Sequence, residues 1–260
     1  MPDWFRLLPD AGHRLQMNLR PGDVSRFWTP SAESGAVLAE RRRWLAETPR
    51  RYLSILPEGE AGVCEAIRLI APRPMTAEQA ATSLEPDWIL LSGDGLRSHP
   101  VMGGAVIFPS GWALEDKLGR PLHEVHGPVP GLQGRLGGQI STFLTRLAPG
   151  AAWERDNWGL AADPALNHHP AVPIRRLGGD AELRTTWLRL EQQFLTRLPA
   201  TGTILFGIRV SNHRLDHLAA IPGLASRLQL ALETMSGEMA RYKGLDTARR
   251  ALIAELRGEK

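Results

Sequence analysis

The chain has 260 residues, enough to bury a full core as one large domain or two small ones. Hydrophobic residues make up 43% and charged residues 23%, which argues against disorder, and a net charge of +3 without a long basic block argues against a nucleic-acid surface. A single cysteine, Cys64, excludes a disulfide framework, a cysteine-based zinc site and an iron–sulfur cluster held by this chain alone.

In chain order, the N-terminal stretch MPDWFRLLPDAGHR lacks the apolar core of a signal peptide. Residues 36–49 form an amphipathic pattern that stops before Pro49, and residues 60–71 form another, with Val63, Ile67 and Ile70 on one face. Thr76 with Gln79 is a capping-box signal for a short helix ending near Pro86. The texture then changes. Trp88–Leu91, Ala105–Phe108, Trp153–Leu160, Leu183–Leu190 and Thr203–Asn212 are short β-branched or aromatic runs bounded by turn residues, and are predicted strands. One helix interrupts them, with Leu132, Leu136, Ile140, Phe143 and Leu147 at helical spacing and Pro149-Gly150 as its end. Beyond the last strand, Leu224, Leu228, Ala231, Met235 and Met239 make one helical face, Gly244 breaks it, and a last helix is predicted from about Thr247 to Leu256.

Strands clustered together, not alternating with helices, predict an α+β fold with an antiparallel sheet. Two strands, a helical segment and three strands is also the element order of a PAS-like core. No linker divides the chain, so a single domain is expected, with that core at about 87–212 and flanking helical segments at 36–83 and 221–257. Nowhere do about 18 apolar residues run together, so a soluble, cytoplasmic protein without membrane contact is expected.

Generic catalytic motifs are absent: there is no GxGxxG after a strand, no GxxxxGK, no HExxH and no GxSxG. Histidines and arginines are the informative types. His123 and His126 stand three apart before Pro128 and Pro130, and in an extended segment they would point to opposite faces. Either one suffices as a single ligand to haem iron, while the bland alternative has both bonding backbone in a proline-rich loop. His168 and His169 sit in a loop of the kind that usually exposes them. Alternation along WERDNWGL puts Trp153, Arg155 and Asn157 on one face and Glu154, Asp156 and Trp158 on the other. Arg189 and Arg209 also fall within predicted strands. An arginine on an inner sheet face must be paired or must meet a polar ligand, and Glu154, Asp156 and Glu191 are candidate partners.

Several of these segments, in order, resemble the haem-dependent oxidative N-demethylase family. They are MNLRPGDVSRFW (17–28), the arginine-rich helix around Arg41–Leu45, DWILL (87–91), FPSGW (108–112), and Lys117, Gly119 and Leu122 leading into HGPVP (126–130). RDNW (155–158), LRLEQQFLTRLP (188–199), TILFGIRVSN (203–212) and Tyr242-Lys243-Gly244 follow. Gln192 stands where the family usually has Arg, Phe194 where it has Thr, and Asn212 at a position often aromatic.

The resemblance implies a PAS-like core holding haem b, and NADPH- and O2-dependent oxidation of an N-methyl group in a secondary amine such as dimethylamine, with formaldehyde released. Electrons would come from a separate NADPH-dependent reductase carrying flavin and an iron–sulfur cluster. The resemblance makes His126 the expected iron ligand, with His123 as the fallback, and places Trp112 and Asn157 at the cofactor. Arg155 is the expected donor toward dioxygen. Arg189 and Arg209 are alternatives for that role or for a haem propionate, and Glu191 is expected to orient an arginine or meet the amine cation. A competing expectation is a haem-binding sensor or scaffold without turnover.

Overall fold

The computed structural model describes residues 2–93 and 98–259. Its seven strands are β1 (Arg20–Pro21), β2 (Leu53–Ile55), β3 (Asp87–Leu91), β4 (Val101–Ala105), β5 (Ala152–Ala161), β6 (Trp187–Arg197) and β7 (Ile204–Arg214). They form one antiparallel sheet in the order β1-β5-β6-β7-β3-β4-β2, with helices before and after it. The expected α+β architecture is therefore observed. Among the described residues no helix is long and apolar enough to cross a membrane.

Registers assign the side chains to two faces. Asn157 lies opposite Glu191 and Glu191 opposite Val210, while Glu154 lies opposite Phe194 and Phe194 opposite Gly207. Even-numbered positions of β5 and β6 thus share one face, the even face, with odd-numbered positions of β7 such as Gly207 and Arg209, and odd-numbered positions of β5 and β6 share the other, the odd face, with even-numbered positions of β7. Helix Val24–Trp28 packs on the even face, where Phe27 meets the Phe194 ring at 5.1 Å. Gly207 makes this approach possible: a Cβ there would come within 2.8 Å of the Phe27 ring and 2.9 Å of the Trp28 ring. A second apolar cluster joins Trp158, Leu188 and Leu190 of the same face to Trp4 and to Leu224, Leu228 and Leu232.

The odd face is covered differently. Phe143 packs edge-on against Trp153, and the Arg197 guanidinium donates to the carbonyls of Leu144 and Leu147, so the helix ending at Arg146 lies across this side. That helix opens with a π-helical turn at Gln133–Gly137 before becoming α-helical over Gly138–Arg146. The uninterrupted helix expected from the apolar spacing is thus widened by one turn, in a segment rich in glycine (131, 134, 137 and 138). The apolar face at 224–239 is also split, into Leu224–Thr234 and Gly237–Tyr242, because Ser236 caps the second piece by accepting from Met239 N at 3.2 Å. The capping box at Thr76 and Gln79 is present as expected.

Two strand boundaries shift. The fourth run, expected at Leu183–Leu190, begins at Trp187, after a 3-10 turn at Leu183–Thr185, and continues to Arg197. The second strand ends at Ala105, whereas strand character was expected from Ala105 to Phe108. Side chains take over the backbone groups there. The Asp87 carboxylate accepts from Ile107 N and Phe108 N, both at 2.9 Å, and Val106 N donates to Tyr52 O at 2.8 Å. Asp87 also pairs with Arg41 at 2.6 Å, the two side chains being 1% and 0% exposed. Arg41 donates further to the carbonyls of Ala81 and Glu85, tying the 34–47 helix to the start of β3.

Breaking a buried pair by removing one partner strands the other charge, at about 3–5 kcal/mol. Asp87→Ala should therefore lower the unfolding free energy in urea by about that much, and a loss below about 1 kcal/mol would show that the pair does not hold this corner.

Candidate functional site

The segment after β4 is where the site begins. Its backbone pairs with the 163–169 loop: Gly111 N donates to His168 O at 3.0 Å and His168 N to Pro109 O at 3.1 Å. Arg189, only 4% exposed, fixes both pieces at once. Its Nη2 donates to Phe108 O and Leu166 O, each at 2.8 Å, and its Nη1 to Ala165 O at 3.3 Å. The remaining donor, Nε, reaches Ser110 Oγ at 2.7 Å. Ser110 Oγ in turn donates to Glu191 Oε1 at 2.5 Å. Arg189 is thus committed in every direction. All three of its nitrogens are engaged, and it acts on Glu191 through Ser110.

Glu191 is held from its other oxygen as well. Oε2 accepts from Asn157 Nδ2, its cross-strand neighbour, at 3.2 Å and from Gln193 Nε2 at 3.0 Å. A carboxylate with both oxygens held points in one direction, and the cations on this face are ordered around it. Arg155, two residues before Asn157 on the same face, has a buried Nε with no hydrogen-bond partner among the described residues. Burial lowers its pKa, opposed by the charges of Glu191 and Asp156. Lys243 donates to Trp158 O at 2.6 Å, its Nζ lying 5.6 Å from the Trp158 ring centroid. Burial pushes the Lys243 pKa down to about 8, with Glu191 opposing and Arg155 adding to the shift. Beside it, burial and the Glu191 charge raise the pKa of Tyr242, whose side of the chain is 48% exposed.

His126 caps the one-turn helix Leu122–Val125. An extended segment would have put His123 and His126 on opposite faces, but the chain here is a helical turn. Residues three apart on a helical turn share a side, yet His123 is exposed and His126 is half-buried. Burial first, and then the Arg155 guanidinium, pushes the His126 pKa down to about 4, so the imidazole is neutral at physiological pH. Gln133 Nε2 donates to the His123 carbonyl at 2.7 Å, which ties the turn to the π-helical segment behind it.

The fold therefore brings His126, Arg155, Asn157 and Glu191 to one face, with Arg189 behind them. Trp112 is half-buried and packs against the main core. Arg209 stands apart on the even face, paired with Glu85 at 2.6 Å and donating to Phe27 O at 2.6 Å and Thr29 O at 2.8 Å. His168 and His169, expected to be exposed, are instead half-buried and buried. His169 bonds Glu115 through Nε2 at 3.1 Å and accepts from Ala171 N at 3.1 Å, so satisfied ring nitrogens let it enter the core. Ser110, Lys243 and Tyr242 join the cluster although sequence reasoning assigned them no role. Their only signal was membership in FPSGW and Tyr242-Lys243-Gly244.

Of the three departures from the family pattern, Gln192 and Phe194 lie on the opposite face, whereas Asn212 lies across from Arg189 and shares its acceptor Ala165 O. Gln192 shares the even face with Asp156 and Arg209, Phe194 lies under Phe27, and Asn212 Nδ2 donates to Pro164 O and Ala165 O.

His13 and His168 are also pushed down to about 4, by burial first and then by Lys243 and Arg189 respectively. The unfolded chain, with ordinary histidines near 6.5, binds more protons than the folded one between about pH 6.5 and pH 4, so stability falls as pH falls through that window. Urea unfolding at pH 7 and at pH 5 should show this loss, and His168→Gln should reduce it. An unchanged pH slope in that variant would show that His168 is not held neutral by the fold.

Residues 72–253 match the family described as haem-dependent oxidative N-demethylase, alpha subunit-like. That span runs from before β3 to the last helix and includes Ser110, His126, Arg155, Asn157, Arg189, Glu191 and Lys243. With the match covering most of its length, the chain belongs to the haem-dependent oxidative N-demethylase alpha-subunit-like family.

Proposed function

We propose that this chain holds haem b through His126 and serves as the oxygenase subunit in oxidative N-demethylation of a small secondary amine such as dimethylamine, with formaldehyde as the second product. The observation that carries this reading is the convergence of a neutral imidazole, a buried guanidinium with an uncommitted Nε and one oriented carboxylate on a single sheet face. The five central strands support it: numbered from β3, their spatial order is second, first, fifth, fourth, third, as in a PAS-like core.

These residues fit haem. Iron takes an uncharged imidazole nitrogen, and His126 carries no proton to displace above about pH 4. Arg155 Nε has lost water without gaining a partner, and burying a polar group unpaired costs about 1–3 kcal/mol, which a ligand acceptor would relieve. Bound haem supplies the one-electron and dioxygen chemistry that side chains lack. The chain's own work is binding and orientation. His126 presents its lone pair at the end of a short fixed turn. Arg155 offers a preorganised N–H where negative charge develops on the oxygen side. Glu191, steadied by Ser110, Asn157 and Gln193, attracts the ammonium form of the amine and fixes where its methyl groups lie. The nearby Lys243 discourages a second cation from settling at random on this face. Electrons from NADPH arrive through a separate reductase with flavin and an iron–sulfur cluster, since a single cysteine cannot build that cluster here.

The purified protein should absorb at the Soret band, and His126→Ala should lose most of that absorbance and haem occupancy. Unchanged spectrum and occupancy would remove His126 from the ligand role. With haem retained, Arg155→Ala should lower kcat for formaldehyde release from dimethylamine roughly a hundredfold in the presence of NADPH and reductase. Glu191→Gln should instead act mainly on KM, raising it roughly tenfold. Haem binding without any formaldehyde release would favour the sensor or scaffold alternative.

A further inference from the structure

Four glycines lie within the strands, where glycine weakens the sheet unless something must come close to it. Three of them meet that condition. A Cβ on Gly103 would stand 2.8 Å from the Ile55 Cα, one on Gly104 would collide with the Trp88 carbonyl oxygen, and one on Gly207 would come within 2.8 Å of the Phe27 ring. Gly159 in β5 does not. Among the described residues, nothing beyond its chain neighbours comes within 4 Å of where its Cβ would stand. Its φ lies outside the left-handed region, so the backbone does not call for glycine there either.

The bare position lies on the odd face, beside the cluster. Its partner across β6 is Arg189, so its diagonal neighbours are Glu191 on one side and Trp187 on the other, each about 7 Å away. Asn157, which binds Glu191, precedes it on the same face. Arg189 does not fill the gap. Its guanidinium is held by the carbonyls of Phe108, Ala165 and Leu166, and Asn212 on β7 donates to Ala165 O as well. That loop therefore lies over β6 and β7 and leaves β5 uncovered at Gly159. Trp187 is half-buried, and alone of the eight tryptophans it packs into neither apolar cluster. Ala161, its partner across β5, is small and buried.

A carboxylate at one end, an indole outside the core at the other and a strand position without a side chain between them suit an elongated cation with an apolar body. We propose that Gly159 is the specificity-determining position of the amine site. The ammonium stays at Glu191, and its larger substituent runs over Gly159 toward Trp187, within a span of roughly 13 Å along β6. The favoured substrate is then an N-methyl secondary amine whose second group is an apolar chain of several carbons, not a second methyl. This assignment rests on the reading of Glu191 as the carboxylate that meets the amine, and adds to it which secondary amine the face is shaped to take.

The test uses the full chain loaded with haem, with NADPH and reductase, and measures formaldehyde release from N-methylbutylamine and from dimethylamine. The parent should show a KM roughly tenfold lower for N-methylbutylamine, because its added methylenes find an apolar place. Gly159→Val should bring the ratio of the two KM values back to near one, mainly by raising the KM of the longer amine. Gly159→Ala, with a single methyl group, should move the ratio part of the way. Trp187→Ala, which removes the far wall and leaves the strand backbone as it is, should also lower the ratio. A parent that treats the two amines alike would overturn the slot while leaving N-demethylation intact. So would Gly159→Val and Trp187→Ala proteins that both keep the parent's preference. A parent that binds haem but releases formaldehyde from neither amine would sink the function on which this assignment rests, and the assignment with it.

Discussion

Asp87 and Arg189 grip the same short stretch of chain from opposite sides, and the arrangement of the site follows from that grip. Asp87 takes the amides of Ile107 and Phe108, while Arg189 takes the carbonyls of Phe108 and Leu166. Neither charge reaches water, so each is satisfied only if the loop is where it is. Backbone groups that would otherwise extend β4 are bound to side chains, and the chain turns away from the sheet at Ala105. Ser110 is thereby delivered between Arg189 and Glu191. A two-bond chain from a structural arginine to the Glu191 carboxylate is the result, and its rigidity comes from the loop.

The sheet divides its labour between faces. On the even face Arg209 is paired with Glu85 and donates to two carbonyls, with helix Val24–Trp28 packed close over Gly207. On the odd face the balance is left open. One carboxylate, Glu191, answers Arg155 and Lys243 only at a distance, and Arg155 keeps a buried donor without a partner. Polar groups in a protein interior are nearly always paired, so a buried guanidinium nitrogen without a partner sets this face apart from a purely structural ion-pair network.

Much of this was legible in the sequence, for identifiable reasons. Strands with strict alternation, such as Ala152–Ala161 and Ile204–Arg214, could be placed on their faces in advance, and RDNW put Arg155 and Asn157 together before any register was known. The capping box at Thr76 carried its own geometry. What escaped depended on contacts between distant residues. Nothing near Phe108 announces that its amide goes to Asp87, twenty-one residues back. Nothing near Arg189 or Arg209 says that both are consumed by backbone carbonyls of distant segments. The same holds for His168 and His169, whose loop composition suggested exposure, although His168 is half-buried and His169 sinks inward on its bonds to Glu115 and Ala171. Ser110 and Lys243 are common residue types, and only the folded arrangement distinguishes them from their kind.

The close fit of helix Val24–Trp28 over Gly207 also has a temporal side. Arg209 donates to the carbonyl of Phe27 across 182 residues of chain, and Glu65 binds the β6–β7 turn at Ala200 across 135. Phe27, Trp28 and Glu65 therefore leave the ribosome lacking the partners that will hold them, since those partners follow 135 or more residues later. Contacts of such separation form late and slowly, and apolar side chains waiting for them are exposed to wrong associations. Synthesis of this protein thus carries a long interval in which its first helices are made but not yet seated, and the sheet that seats them closes only after β7 has emerged.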